Sequence, residues 1–76
     1  MNYNQYISAD PDVLGGKPRI ANTRISVGLI LEQLSLGDTI ENLLDEYDLT
    51  REQILAALAF ASERMYEDRI QQQATS

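Results

Sequence analysis

Apolar positions along the chain change their spacing near residue 26. Before that point they are sparse and broken by turn formers: Asp10-Pro11-Asp12 has the chemistry of a turn, and Gly15-Gly16 precedes Lys17-Pro18. Tyr6-Ile7-Ser8 reads as a short strand. Arg19-Ile20 and Arg24-Ile25 flank Ala21-Asn22-Thr23. Asparagine tolerates positive φ, so a tight hairpin centred near Asn22 is expected. Alternation along its strands turns Ile20 and Ile25 to the core and Arg19 and Arg24 outward.

From Val27 onward the spacing is helical. Ser26 suits an N-cap for a helix from Val27 to about Leu36. Val27, Ile30, Leu31 and Leu34 share one face, Leu29 and Leu36 widen it, and Gly37 ends it. Asp38 or Thr39 caps a second, short helix, and Asp38 with Glu41 has capping-box spacing. In this helix Ile40, Leu43, Leu44 and Tyr47 fall at i, i+3, i+4 and i+7. The third helix has the clearest start: Thr50 with Gln53 makes a capping box, and Leu49 with Ile54 a hydrophobic staple. It carries Ile54, Leu55, Ala57, Leu58, Ala61 and Met65 toward Ile70. Small residues at 56, 57, 59 and 61 allow a neighbouring helix close. Leu55 and Phe60 lie off the main stripe, which leaves an apolar surface too wide for one contact. Either a partner covers part of it or all of it is ordinary core.

The pattern therefore predicts an α+β domain, mainly α. A strand or hairpin segment spans residues 1–26, a three-helix bundle 27–70, and a disordered polar tail 71–76. The second and third helices have the proportions of a helix-turn-helix, although any compact bundle of this size contains such a corner.

Composition narrows what such a domain does. A chain of 76 residues buries only about 60% of its unfolded surface and is marginal alone. It has no cysteine and no histidine, so disulfides, the usual zinc sets and the common general base of enzymes are absent. The missing support must come from helix packing or another chain, and a homodimer is expected. The net charge is −6, and it is unevenly spread. Residues 1–26 carry Lys17, Arg19 and Arg24 against Asp10 and Asp12, whereas residues 27–76 carry ten acids against Arg51, Arg64 and Arg69. Phosphate contacts are therefore expected only from the N-terminal segment, and the acidic remainder suits a basic protein surface. The N-terminus lacks the basic and apolar stretches of a leader. The longest apolar run, residues 54–61, falls far short of the ~20 needed to span a bilayer. A cytoplasmic protein with no membrane contact is expected.

The run Asp10-Pro11, Leu14-Gly15-Gly16-Lys17-Pro18-Arg19-Ile20 and Thr23-Arg24-Ile25-Ser26-Val27 resembles the opening of the domain of unknown function family 433. Gly37-Asp38-Thr39-Ile40-Glu41-Asn42-Leu43-Leu44, then Leu49-Thr50 and the alanine-rich stretch 56–61, resemble its continuation. The likeness covers about residues 6–62. Asn22 stands where the family pattern usually has glycine, and asparagine is the best substitute at positive φ. The resemblance implies a helix-turn-helix fold of the homeodomain-like kind. It also implies an antitoxin-like role, commonly beside a small nuclease-like toxin of the PIN type.

Several residue groups carry a functional reading beside an ordinary one. Gly15-Gly16-Lys17 resembles a phosphate-binding loop only superficially, because Pro11 and Pro18 stand where that motif needs glycine and a hydroxyl residue. Lys17, Arg19 and Arg24 form a basic cluster that either holds phosphates or is a solvated hairpin face. Arg51 and Gln53 would face guanine and adenine edges if the third helix entered a major groove. Asp45, Glu46, Asp48 and Glu52 crowd that same end, and capping already accounts for Gln53. Asp45, Glu46 and Asp48 match no EF-hand spacing, no nucleophile or oxyanion set accompanies them, and neither an enzyme nor a cofactor or metal is expected. Leu55, Phe60, Arg64, Met65, Tyr66, Arg69 and Ile70 are the candidate partner or dimer contacts. By the family analogy, Arg64 or Arg69 would enter the carboxylate cluster of a PIN-like nuclease.

Two functions remain in view. One is an antitoxin-like binding protein that neutralises such a nuclease and also regulates its own operon as a complex. The alternative is a DNA-binding regulator of helix-turn-helix type, with a self-associating structural module as a third option.

Overall fold

A computed structural model describes the backbone of residues 3–75 and the side chains as far as Tyr66. The order of elements is β1 (Ile7–Ser8), a 3₁₀ turn at Leu14–Gly16, β2 (Arg19–Ile20), α1 (Val27–Ser35), α2 (Ile40–Tyr47) and α3 (Arg51–Thr75). A short antiparallel hairpin thus leads into three helices, the architecture that the hydrophobic pattern predicts.

The N-terminal segment pairs differently from its expected register. β1 and β2 pair antiparallel, Ile7 opposite Ile20 and Ser8 opposite Arg19. The tight turn around Asn22 is present, with Asn22 at φ 65°. There the Thr23 N–H donates to the Ile20 carbonyl at 3.1 Å and the Ile20 N–H donates to the Ile25 carbonyl at 2.9 Å. The Thr23 hydroxyl tightens the turn, donating to the Ile20 carbonyl at 2.7 Å and accepting from the Ile25 N–H at 3.0 Å. Beyond the turn only an isolated bridge, Arg19 to Ser26, continues the ladder. The reason is local: Ser26 already serves as the cap of α1, so the chain leaves extended geometry at the next residue, Val27.

Each helix is bounded by side-chain and backbone chemistry. Ser26 Oγ accepts the Leu29 N–H at 2.9 Å. At the other end of α1, Gly37 adopts φ 98°. Its N–H donates to the Leu34 carbonyl, and the Asp38 N–H to the Gln33 carbonyl, both at 3.1 Å. These are the paired bonds of a Schellman motif. Leu36 is the C-cap and is 73% exposed, so it does not widen the core stripe as expected. Thr39, not Asp38, caps α2, its hydroxyl accepting the Asn42 N–H at 3.1 Å. Asp38 braces that turn instead, accepting from the Thr39 N–H and the Asn42 amide. At α3 the capping box is reciprocal: the Gln53 N–H donates to Thr50 Oγ1 at 3.2 Å and the Thr50 N–H to Gln53 Oε1 at 2.8 Å. The helix continues to Thr75, through the segment expected to be a tail. Glutamine and alanine are good helix formers, and no glycine or proline stops the helix there.

Ile20, Ile30, Leu43 and Ile54, one from each of β2, α1, α2 and α3, are fully buried at the centre. Val27, Leu49 and Ala57 join them, and Ile25, Leu31 and Leu34 pack around the edge. Ala56 and Ala57 are completely covered, which is how α3 comes close to the elements it crosses. Met65 sits on the predicted apolar stripe yet is 64% exposed.

A salt bridge joins the first turns of α2 and α3, Arg51 Nη2 to Glu41 Oε1 at 2.9 Å. The Glu41 carboxyl is held below its ordinary value of 4.5, first by its own backbone N–H and then by the Arg51 hydrogen bond.

Two measurements check this frame. A methyl group at Gly28 meets only Ser26 Oγ, at an ordinary 3.8 Å. Gly28→Ala should therefore raise the unfolding free energy by about 0.5–1 kcal/mol. Gly37→Ala should lower it by about 1–2 kcal/mol through backbone strain alone, since the space around Gly37 is open. Urea unfolding of both variants reads the difference, and equal midpoints would refute the Schellman account. The second check uses acid. A carboxyl with a lowered folded-state pKa stabilises above its unfolded value and loses that contribution as pH falls through the folded one. Glu41→Gln should thus lose less stability than the parent between about pH 5 and 3. The difference should be small, because the bridge is exposed; parallel profiles would count against the bridge.

Candidate functional site

Pro18 organises the site. Its carbonyl accepts the Val27 N–H at 3.0 Å, which ties the entry to β2 onto the first turn of α1. Between that turn and the middle of α3 lies a cleft of about 570 Å³. Val27, Leu31, Phe60, Ala61 and Met65 give it apolar walls, and Lys17, Glu32 and Arg64 supply its charged edges. A second cleft of about 390 Å³ opens beneath Tyr3, Ile7 and Ser8. Pro18, Phe60 and Arg64 line both clefts and so form a shared wall.

Phe60 is the centre of that wall. The Tyr3 ring meets it edge-on, with centroids 5.5 Å apart and planes at 84°. The Tyr3 hydroxyl also donates to Glu63 Oε2 at 2.5 Å. The Arg64 guanidinium carbon lies 5.0 Å from the Phe60 centroid, a cation–π placement that steers the charge while keeping it at the surface. Phe60 is therefore half-buried between the N-terminal segment and Arg64, not a bare hook. Leu55, Met65 and Tyr66 are exposed at 40%, 64% and 62%. The side chains of Arg69 and Ile70, also candidate partner contacts, lie outside the described residues.

The basic cluster of the sequence divides in space. Lys17 is exposed at the larger cleft. Arg24 is exposed on the turn and lines neither cleft. Arg19 is half-buried, contrary to the outward position that strand alternation suggests. Its Nη1 donates to the Thr23 carbonyl at 2.9 Å, because the turn leaves that oxygen within reach. Its Nε is buried without a partner, as is Ser8 Oγ. The α2–α3 corner is likewise occupied with its own structure. Arg51 holds Glu41 and Gln53 closes the capping box, so neither side chain is presented free for base edges. Among the described residues no group of histidine, cysteine or acidic side chains is placed to hold a metal ion. No helix among them is long and apolar enough to cross a membrane.

Sequence spacing does not reveal that Lys17 and Arg64 flank one cleft, nor that Tyr3 and Glu32 belong to its surroundings. The available signal is the excess width of the apolar surface on α3. Chemically, the site offers apolar walls and a cationic edge, the means to seat a side chain and to hold an anion.

The family model described as protein of unknown function (DUF433) matches residues 7–61. That span runs from β1 to the middle of α3 and includes Pro18 and Phe60, while Arg64, Met65 and Tyr66 follow it. The chain is also similar to a solved structure, the crystal structure of a DUF433 member protein from Anabaena variabilis. The two share 30% sequence identity with a TM-score of 0.78, over 96% of this chain and 71% of that one. No curated protein matches. With the match taking in both strands, α1, α2 and the packed half of α3, the chain belongs to the DUF433 family.

Proposed function

We propose that the chain is an antitoxin-like binding protein that docks on a nuclease toxin of the PIN type and silences it. The observation that carries this reading is the exposure of Met65 and Tyr66 on α3, with Met65 at the edge of an apolar cleft. Large apolar side chains grouped at a surface mark interaction sites more often than chance exposure. An inhibitor of this kind needs no reacting group of its own, which suits a chain without cysteine or histidine. Its net charge of −6 suits a basic partner surface, and Arg64 is a cation available for the carboxylates that a PIN-type nuclease presents.

Operon regulation through DNA is the second reading. Lys17 and Arg24 favour it, both being exposed and without a side-chain hydrogen bond or ion pair among the described residues. It runs through the hairpin, since Arg51 and Gln53 are engaged elsewhere. A binding module, not a catalyst, is common to both readings.

The test is capture of a nuclease partner by the tagged chain in about 0.5 M salt, where exposed charges are screened. A stoichiometric nuclease should be retained, with its cleavage of RNA suppressed. The double substitution Met65→Glu and Tyr66→Glu should weaken capture at least about 30-fold, as loss of buried interface anchors does. Its urea midpoint should stay near the parent's, because both side chains are exposed. Capture unaffected by the double substitution would remove this face from the proposal. Recovery on DNA alone, falling steeply with salt, would favour the second reading.

A further inference from the structure

We infer that the cleft between α1 and α3 receives a segment of a partner protein that presents an apolar side chain next to a carboxylate. The carboxylate lies at the Lys17–Arg64 edge. This rests on the reading of the chain as a protein-binding module and specifies what that module recognises.

The argument is one of charge placed against apolar surface. The chain carries twice as many acids as bases, twelve against six, so a random surface cleft should be edged by acids. Among the described residues this one has Lys17 and Arg64 against Glu32 alone. Both cations are available. Arg51 is paired with Glu41, and Arg19 is turned onto the Thr23 carbonyl. Among the described residues Lys17 has no such partner, and Arg64 is held by the face of the Phe60 ring alone. A guanidinium laid on a ring keeps its N–H edge open, which is the edge that meets a carboxylate side-on. Pro18 and Phe60 line the same cleft as the two cations, so an occupant seated on them would bring its acid to an edge partly shielded from water.

Glu32 gives the cleft a direction. It lies five residues beyond Val27 on α1, about 7.5 Å along the helix axis at 1.5 Å per residue. An acid at that end would meet a like charge. The occupant is therefore oriented, its apolar side chain between Leu31 and Met65 and its acid toward Lys17.

The test uses synthetic peptides of about a dozen residues, long enough for a helical or extended docking segment. Leucines are placed at i and i+3, with one Glu, Gln or Lys a turn away on either side. Fluorescence anisotropy with the full chain should rank Glu above Gln by about tenfold, the scale of one charge-assisted hydrogen bond, with Lys weakest. The double substitution Lys17→Glu and Arg64→Glu should invert the order and favour Lys peptides. Its urea midpoint checks that folding is intact, and Lys17→Gln serves as a milder second variant that should reduce the preference for Glu. Equal binding of Glu and Gln peptides would overturn the inference. So would a cleft filled by a second copy of the chain, seen as a dimer in sedimentation that Met65→Glu splits while peptides fail to bind. A nuclease captured equally well by the charge-reversed chain would overturn the cleft inference and leave the proposed function standing. The expected peptide ranking with no nuclease captured would do the reverse.

Discussion

Ile20, Ile30, Leu43 and Ile54 share one buried cluster, and each belongs to a different element. In so short a chain no second core stands among the described residues to compensate for a loss at the first. Every other feature is placed by that cluster. Ile20 draws β2 inward and brings β1 with it, Ile54 fixes the near half of α3, and the two covered alanines beside it let α1 come close. Truncating any of the four would leave a void that the surroundings cannot collapse to fill, the usual source of severe destabilisation.

Legibility of the structure from sequence followed the range of the interactions. Ser26, Gly37, the Thr50–Gln53 pair and Leu49 with Ile54 are local signals, each completed within six residues, and all stand in the structure where spacing puts them. The β1–β2 pairing is not local. Two-residue strands carry almost no alternation to read, so its register emerges only once the core is assembled. The Arg19 side chain turned inward for a related reason: alternation predicts a direction, but a carbonyl left open by the Asn22 turn offered a better partner than water. On α3 the period correctly located the apolar face. It could not say where the rest of the domain stops covering that face, and Met65 is exposed for that reason.

The same distinction explains the site. Lys17 and Arg64 were both legible as candidate residues, and their sharing of one cleft was not, since it depends on Pro18 binding the first turn of α1 while Phe60 lies on α3. Arg51 and Gln53 show the converse. Their residue types suited base recognition, yet the fold uses Arg51 to fasten α3 to α2 and Gln53 to close the capping box of α3. A side chain serves recognition only when the structure leaves its polar edge unoccupied, and spacing alone does not report occupancy.

The wall of Pro18, Phe60 and Arg64 has two faces, one toward each cleft. Tyr3 rests on the same ring that Arg64 covers. A change in where Arg64 sits therefore alters the support beneath the N-terminal segment, and a change in Tyr3 alters the platform under Arg64. The two clefts share this lining, so an occupant that displaced the Phe60 ring from one side would reshape the other as well. In a domain with so little interior, a single aromatic ring joins the two sides of the molecule.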